Sequence, residues 1–135
     1  MQKFSDNQVA LISGGTSGIG FATAELLLKQ GWCVVINGRN EWDGQEAVVK
    51  LRRISSKVRF VQGDVSKVMN CRRIVEDTIR LFGNLNALVT AAGYYEERLL
   101  EDVDEQNFDE MFGTNVKGTV FLCQAAAPYL KQVHG

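Results

Sequence analysis

Apolar residues along this chain follow two rhythms, short unbroken runs and sets at helical spacing, and the two alternate from the N-terminus onward. Val9 to Ile12 is the first run and ends in a glycine cluster; Ile19, Ala22, Thr23, Leu26 and Leu27 then recur helically until Gly31. Cys33 to Ile36 is a second run closed by Asn37 and Gly38, followed by helix formers from Glu41 to Ile54 with Ala47, Val48 and Leu51 on one face. Val58 to Val61 makes a third strand before Gly63 and Asp64. Ser66 is the expected N-cap of a helix carrying Val68, Cys71, Val75, Ile79 and Phe82, which stops at Gly83. Leu85 to Ala92 reads as a fourth strand. Beyond the acidic stretch Glu96 to Asp104, a long helix is expected from Phe108 to Leu130 with Phe108, Met111, Phe112, Val116, Val120, Cys123 and Ala127 as its apolar face.

Strands without polar alternation are buried on both faces, and strands that alternate with helices need right-handed crossovers. The pattern therefore predicts an α/β domain with a doubly wound parallel sheet. With 135 residues there is room for one domain and its core, and no internal boundary, repeat or low-complexity segment interrupts it.

Charge narrows the partners. Fifteen basic against sixteen acidic residues leave a net charge of -1 and no basic stripe, which argues against nucleic acid. No apolar run approaches the roughly 20 residues of a membrane helix, and Met1 to Gln8 is polar rather than signal-like, so no membrane or export role is expected. Cys33, Cys71 and Cys123 are odd in number and lack a C-x-x-C pair. They read as core filler in a cytoplasmic protein, with neither a disulfide framework nor a metal site.

The candidate chemistry starts at the first turn, Ser13-Gly14-Gly15-Thr16-Ser17-Gly18-Ile19-Gly20, between a predicted strand and a predicted helix. A helix start presents free N–H groups and a positive dipole end to an anion, and glycines let the backbone turn sharply and approach a pyrophosphate. The spacing is G-x-x-x-G-x-G through Gly14, Gly18 and Gly20, and no G-K-[ST] of a P-loop follows.

This turn resembles the T-G-x-x-x-G-I-G of classical short-chain dehydrogenase/reductases, with Ser13 in the threonine place. The resemblance continues through Asp64-Val65, Ala92-Gly93 and Asn115-Val116 in the family's order, over nearly the whole chain. Another doubly wound fold, such as a methyltransferase, would explain the glycine turn but not these three together. The resemblance implies a Rossmann fold that binds NAD or NADP and interconverts alcohols and carbonyls. Gly14, Thr16, Ser17, Gly18, Ile19 and Gly20 would hold the cofactor's phosphates, Asp64 and Val65 the adenine, and the backbone of Ala92 and Gly93 the ribose and nicotinamide side. Asn115 would be the tetrad asparagine that bends its helix and supports a water in the proton relay; a buried amide bonded to backbone is the plainer reading of the same residue. Thr90 and Ala91 stand where the family has two asparagines. Tyr94 and Tyr95 would lie near the nicotinamide end, or serve as partly buried loop aromatics.

Cofactor choice rests on the end of the second strand. Gly38 occupies the place of the aspartate that selects NAD, and Arg39 follows with a guanidinium suited to a 2'-phosphate. NADP is the expected cofactor. NAD remains the alternative, with Arg39 paired to Glu41 or with Glu41 reaching a ribose hydroxyl.

The family's proton donor is a tyrosine in Y-x-x-x-K, with a serine beside it. Four places after Tyr94, Tyr95 and Tyr129 stand Arg98, Leu99 and Val133, so none forms this pair. The resemblance thus implies a cofactor-binding segment whose catalytic part lies beyond Gly135, after the fourth strand and the long helix. The expected activity is that of an oxidoreductase on a small alcohol or carbonyl substrate. The alternative is a naturally short, non-catalytic dinucleotide-binding or regulatory protein. Relatives commonly pair through the long helix, so a homo-oligomer built near Phe112 to Val120 is expected.

Overall fold

The computed structural model describes residues 7–135; most of the polar N-terminal stretch read above, residues 1–6, lies outside the described residues. Nine main elements follow the predicted alternation: β1 (Val9–Ser13), α1 (Gly18–Lys29), β2 (Cys33–Gly38), α2 (Glu41–Leu51), β3 (Val58–Gln62), α3 (Val68–Phe82), β4 (Ala87–Thr90), α4 (Glu105–Phe112) and α5 (Gly118–Val133). One sheet orders the strands β3-β2-β1-β4, all parallel.

Alternate residues of a strand point to opposite faces, and here both faces are covered. Leu11 and Val35 pack with Ile74, Val75 and Leu122 of α3 and α5. Their neighbours Ile12, Val34 and Ile36 pack with Ala24, Val48 and Leu51 of α1 and α2. Burial of each such side chain contributes about 1.5–3 kcal/mol, so the two central strands anchor the domain. The outer strands are less covered. Arg59 and Gln62 of β3 are exposed, and β4 spans four residues, three half-buried and Thr90 exposed, rather than the full run Leu85 to Ala92.

Further expectations need correction. Ser66 does not cap α3: its backbone N–H is itself held by Asp64 Oδ1 at 2.9 Å, and the helix starts after Lys67 without a side-chain cap. The far end is as expected, with Gly83 at φ 88° closing α3.

The long helix is not one cylinder. A π-helical turn, Gly113–Lys117, joins α4 to α5, and its extra residue shifts the helical phase between them. Small residues then decide which side packs. A Cβ on Gly118 would stand 2.8 Å from Val65 Cγ2, so only glycine lets α5 sit this close to the turn after β3, with Leu122 and Ala126 buried on the same side. Phe108, Phe112, Val116 and Val120, on the face expected to be apolar, are exposed by 51%, 51%, 50% and 54%.

Cys123 belongs to that outward side and is exposed, whereas Cys33 and Cys71 are buried as expected of core filler. No helix among the described residues is long and apolar enough to cross a membrane.

Candidate functional site

All four strands end at one level, where Val61, Asn37, Ser13 and Thr90 are successive register partners across the sheet. The chain leaves β1 and β4 in different directions, which opens a crevice beyond the carboxyl ends of the strands. A cavity of about 410 Å³ occupies it. Its walls are the glycine turn (Gly14, Thr16, Ser17, Gly18, Ile19), the end of β2 (Asn37 to Asn40), the turn Gly63 to Val65, and Ala91 to Gly93 after β4. Ten of the sequence-selected residues thus line one cleft.

The glycine turn is shaped by close approach. Gly14 has φ 63°, and a Cβ there would lie 2.6 Å from Ala91 O and Ala92 N, inside the backbone that follows β4. Gly20 sits beneath the cleft rather than in it: a Cβ at Gly20 would run into Gly14 O, so glycine here lets α1 pack under the turn. The N-terminus of α1 begins at Gly18 after Ser17 in extended conformation, and no side chain caps it. Its first backbone N–H groups have no partner within the helix, and Gly18 and Ile19 at its start line the cleft.

Asp64 shows how the far wall is charged. Partial burial works against its carboxylate, yet the hydroxyl and amide of Ser66 and the positive charges of Arg39 and Lys67 together hold it below the usual carboxylate range. Arg39 is exposed and lines the same cleft as Asp64. Glu41, weighed above as a partner for Arg39, accepts instead from Gln45 Nε2 at 2.9 Å. Val65 is buried beside Asp64, against Gly118.

Asn115 is exposed, which corrects the reading of a buried amide. It lies in the π-helical turn and holds the loop after β4 by Nδ2 donating to Tyr94 O at 2.7 Å and Oδ1 accepting from Tyr94 N at 2.9 Å. Such one-residue helical insertions recur at functional sites because they aim a side chain out of the regular ladder.

The loop is stiffened further by Glu96. Tyr94 Oη donates to Glu96 Oε2 at 2.6 Å and Asn107 Nδ2 to the same oxygen at 2.9 Å, while Arg98 Nε donates to Glu96 Oε1 at 2.7 Å. The hydrogen bond to Glu96 pushes the Tyr94 phenol up to about 12, and the Tyr94 and Arg98 hydrogen bonds hold Glu96 low. Arg98 is thus committed to Glu96 and Asp104, and Tyr94–Arg98 is no substitute for a tyrosine–lysine pair. Tyr95 is 78% exposed.

Sequence reasoning gave no site role of their own to three polar residues at or beneath the cleft. Ser13 Oγ accepts from Ala92 N at 3.3 Å, Thr114 is buried against the cavity, and Asn37 is buried with two side-chain donations. For Asn37 a signal existed: a polar residue ends an otherwise wholly apolar strand, though the same signal marks an ordinary turn.

Known proteins share this fold. The family described as short chain dehydrogenase matches residues 8–135, and the chain belongs to it. Its relatives include an uncharacterised oxidoreductase of Methylorubrum extorquens, 36% identical over 93% of this chain and 51% of its own length. An 11-beta-hydroxysteroid dehydrogenase A of Sesamum indicum is 37% identical over 95% of this chain and 37% of its own, and a peroxisomal 2,4-dienoyl-CoA reductase of Arabidopsis thaliana is 38% identical over 93% and 42%. Among solved structures, the NADH-dependent reductase A1-R' complexed with NAD superposes with a TM-score of 0.85 at 29% identity, covering 94% of this chain and 54% of that one. The chain spans about half the length, or less, of the curated relatives it matches.

Proposed function

We propose that this chain is the dinucleotide-binding domain of an NADP(H)-dependent oxidoreductase acting at an alcohol or carbonyl carbon. The single observation that carries the reading is the cleft itself: a glycine turn with no room for a side chain at Gly14, Gly15 or Gly20, an uncapped helix start, and Arg39 with Asp64 on the opposite wall. The residues present suit the cofactor. The N–H groups at the start of α1 would take the pyrophosphate, the Arg39 guanidinium a 2'-phosphate, Asp64 the adenine amino group, and the backbone at Ala92 and Gly93 the nicotinamide side. Bound there, the cofactor would supply hydride exchange with a small-molecule substrate.

Asn115 acts here as the residue that fixes the loop carrying Tyr94 at the nicotinamide end. Its clamp on both backbone groups of Tyr94 supports that role. The exposed stripe Phe108, Phe112, Val116 and Val120 supports pairing with a second copy: Phe108 and Phe112 stack at 4.4 Å, and beside them runs a groove of about 800 Å³. Apolar patches of this kind are uncommon on a free surface.

Titration of NADPH fluorescence with the intact protein tests the reading. A saturable rise in nicotinamide emission, reversed by excess adenosine 2',5'-bisphosphate, is expected. Absence of any binding by NADPH or NADH overturns it.

A further inference from the structure

Asn37 stands in the middle of the row of strand ends and is 1% exposed. Its backbone carbonyl accepts from Gly15 N at 3.0 Å, which ties it to the glycine turn. Its side-chain Nδ2 donates to Val61 O at 3.0 Å and Gly63 O at 3.1 Å, which ties it to the turn that presents Asp64. Arg39 follows two residues later. One residue therefore joins the three segments that form the phosphate and adenine walls of the cleft.

A second tie runs in parallel and shows what is being held. Gln62 Nε2 donates to Arg39 O at 3.0 Å, and Arg73 donates to Gln62 O at 2.6 Å. The backbones at Arg39 and Asp64 are thus linked through β3 on either side of the same opening. The inner link depends on one amide with two donated hydrogen bonds, in a buried place where unpaired carbonyls are costly.

Resting on the dinucleotide reading above, we infer that Asn37 is a positioning residue that sets the spacing of Arg39 and Asp64, and through it the preference for an adenine nucleotide bearing a 2'-phosphate. The requirement is for donors and not for bulk. Aspartate has the same shape but, when ionised, only accepts, and would face two carbonyl oxygens. Leucine has similar volume and neither donor nor charge. Serine keeps one donor.

The test is calorimetric titration of the intact protein and its Asn37→Leu, Asn37→Asp and Asn37→Ser variants with adenosine 2',5'-bisphosphate and with adenosine 5'-monophosphate. Asn37→Leu and Asn37→Asp are expected to lose about tenfold in affinity for the bisphosphate, equivalent to about 1.4 kcal/mol, and Asn37→Ser less. The ratio of bisphosphate to monophosphate affinity should fall about threefold or more in the first two. A smaller folded fraction alone would leave that ratio unchanged, and Asn37→Ser carries the test if the larger changes prevent folding. Folded variants with the wild-type ratio overturn this inference alone. Failure of the wild-type protein to bind either nucleotide overturns the dinucleotide reading and this inference with it.

Discussion

The carboxamide of Asn115 takes both backbone polar groups of Tyr94, donating to its carbonyl and accepting from its N–H across a separation of 21 residues. A bidentate amide of this kind imitates a strand neighbour for a loop residue that has none. Because the pair is exposed, its worth lies in order rather than stability. Asn115→Ala should raise hydrogen exchange at the Tyr94 amide by about five- to tenfold while lowering global stability by less than about 1 kcal/mol. Exchange at Tyr94 unchanged in the variant would contradict the clamp.

Arg39→Ala should weaken NADPH binding by about 1–3 kcal/mol, the worth of a hydrogen bond to a charged group, and leave NADH nearly untouched. The two dissociation constants are measured on the same preparation. Equal losses for both cofactors would show that Arg39 does not read the 2'-phosphate.

The lowered ionisation of Asp64 makes a signed prediction. A carboxylate whose folded value lies below its unfolded value of about 3.9 stabilises the fold above that value, and the contribution is lost as pH falls through the folded one. Asp64→Asn should therefore be less stable than wild type near neutral pH, with the gap closing below about pH 4. Denaturant melts at several pH values check this; a gap independent of pH would contradict it.

Tyr94 offers a spectroscopic check on the loop. Its phenol, pushed up to about 12 by donating to Glu96, should ionise at lower pH in Glu96→Gln. The Tyr94 signal is isolated as the difference between each protein and its Tyr94→Phe counterpart in an ultraviolet titration. No movement would mean that Glu96 does not hold the hydroxyl.

If the outward stripe on α4 and α5 covers a second copy, a charge at its centre should split the pair. Val116→Asp, at a position half exposed in the single chain, should fold normally and sediment as a monomer where the wild type sediments as a larger species. A monomeric wild-type protein would remove the basis for this pairing.

Much of the fold was legible because its signals were local. Apolar runs mark β1 and β2 since both faces of a central parallel strand are buried, and the glycine turn is visible because close approach at Gly14 and Gly20 and a positive φ at Gly18 favour glycine. That Gly14, Arg39, Asp64 and Gly93 meet at one cleft could be expected from the spacing and order of the turns that carry them. What escaped depends on tertiary placement. Periodicity reports that Phe112, Val116 and Val120 share a face but not whether a sheet or a second molecule meets it, and the inserted turn at Gly113–Lys117 moved Leu122 and Ala126 inward instead. Ser66 looked like a cap because serine caps helices, yet Asp64, two residues earlier, holds the Ser66 amide. Asn37 looked like the end of a strand and became a buried junction because three segments converge on it.

The most direct test of the account is calorimetric titration of the intact protein with NADPH and with NADH under identical conditions. The cleft predicts one cofactor per chain and affinity for NADPH higher by about tenfold or more, equivalent to about 1.4 kcal/mol from the 2'-phosphate. NADH bound as tightly as NADPH, or no binding of either, would contradict it.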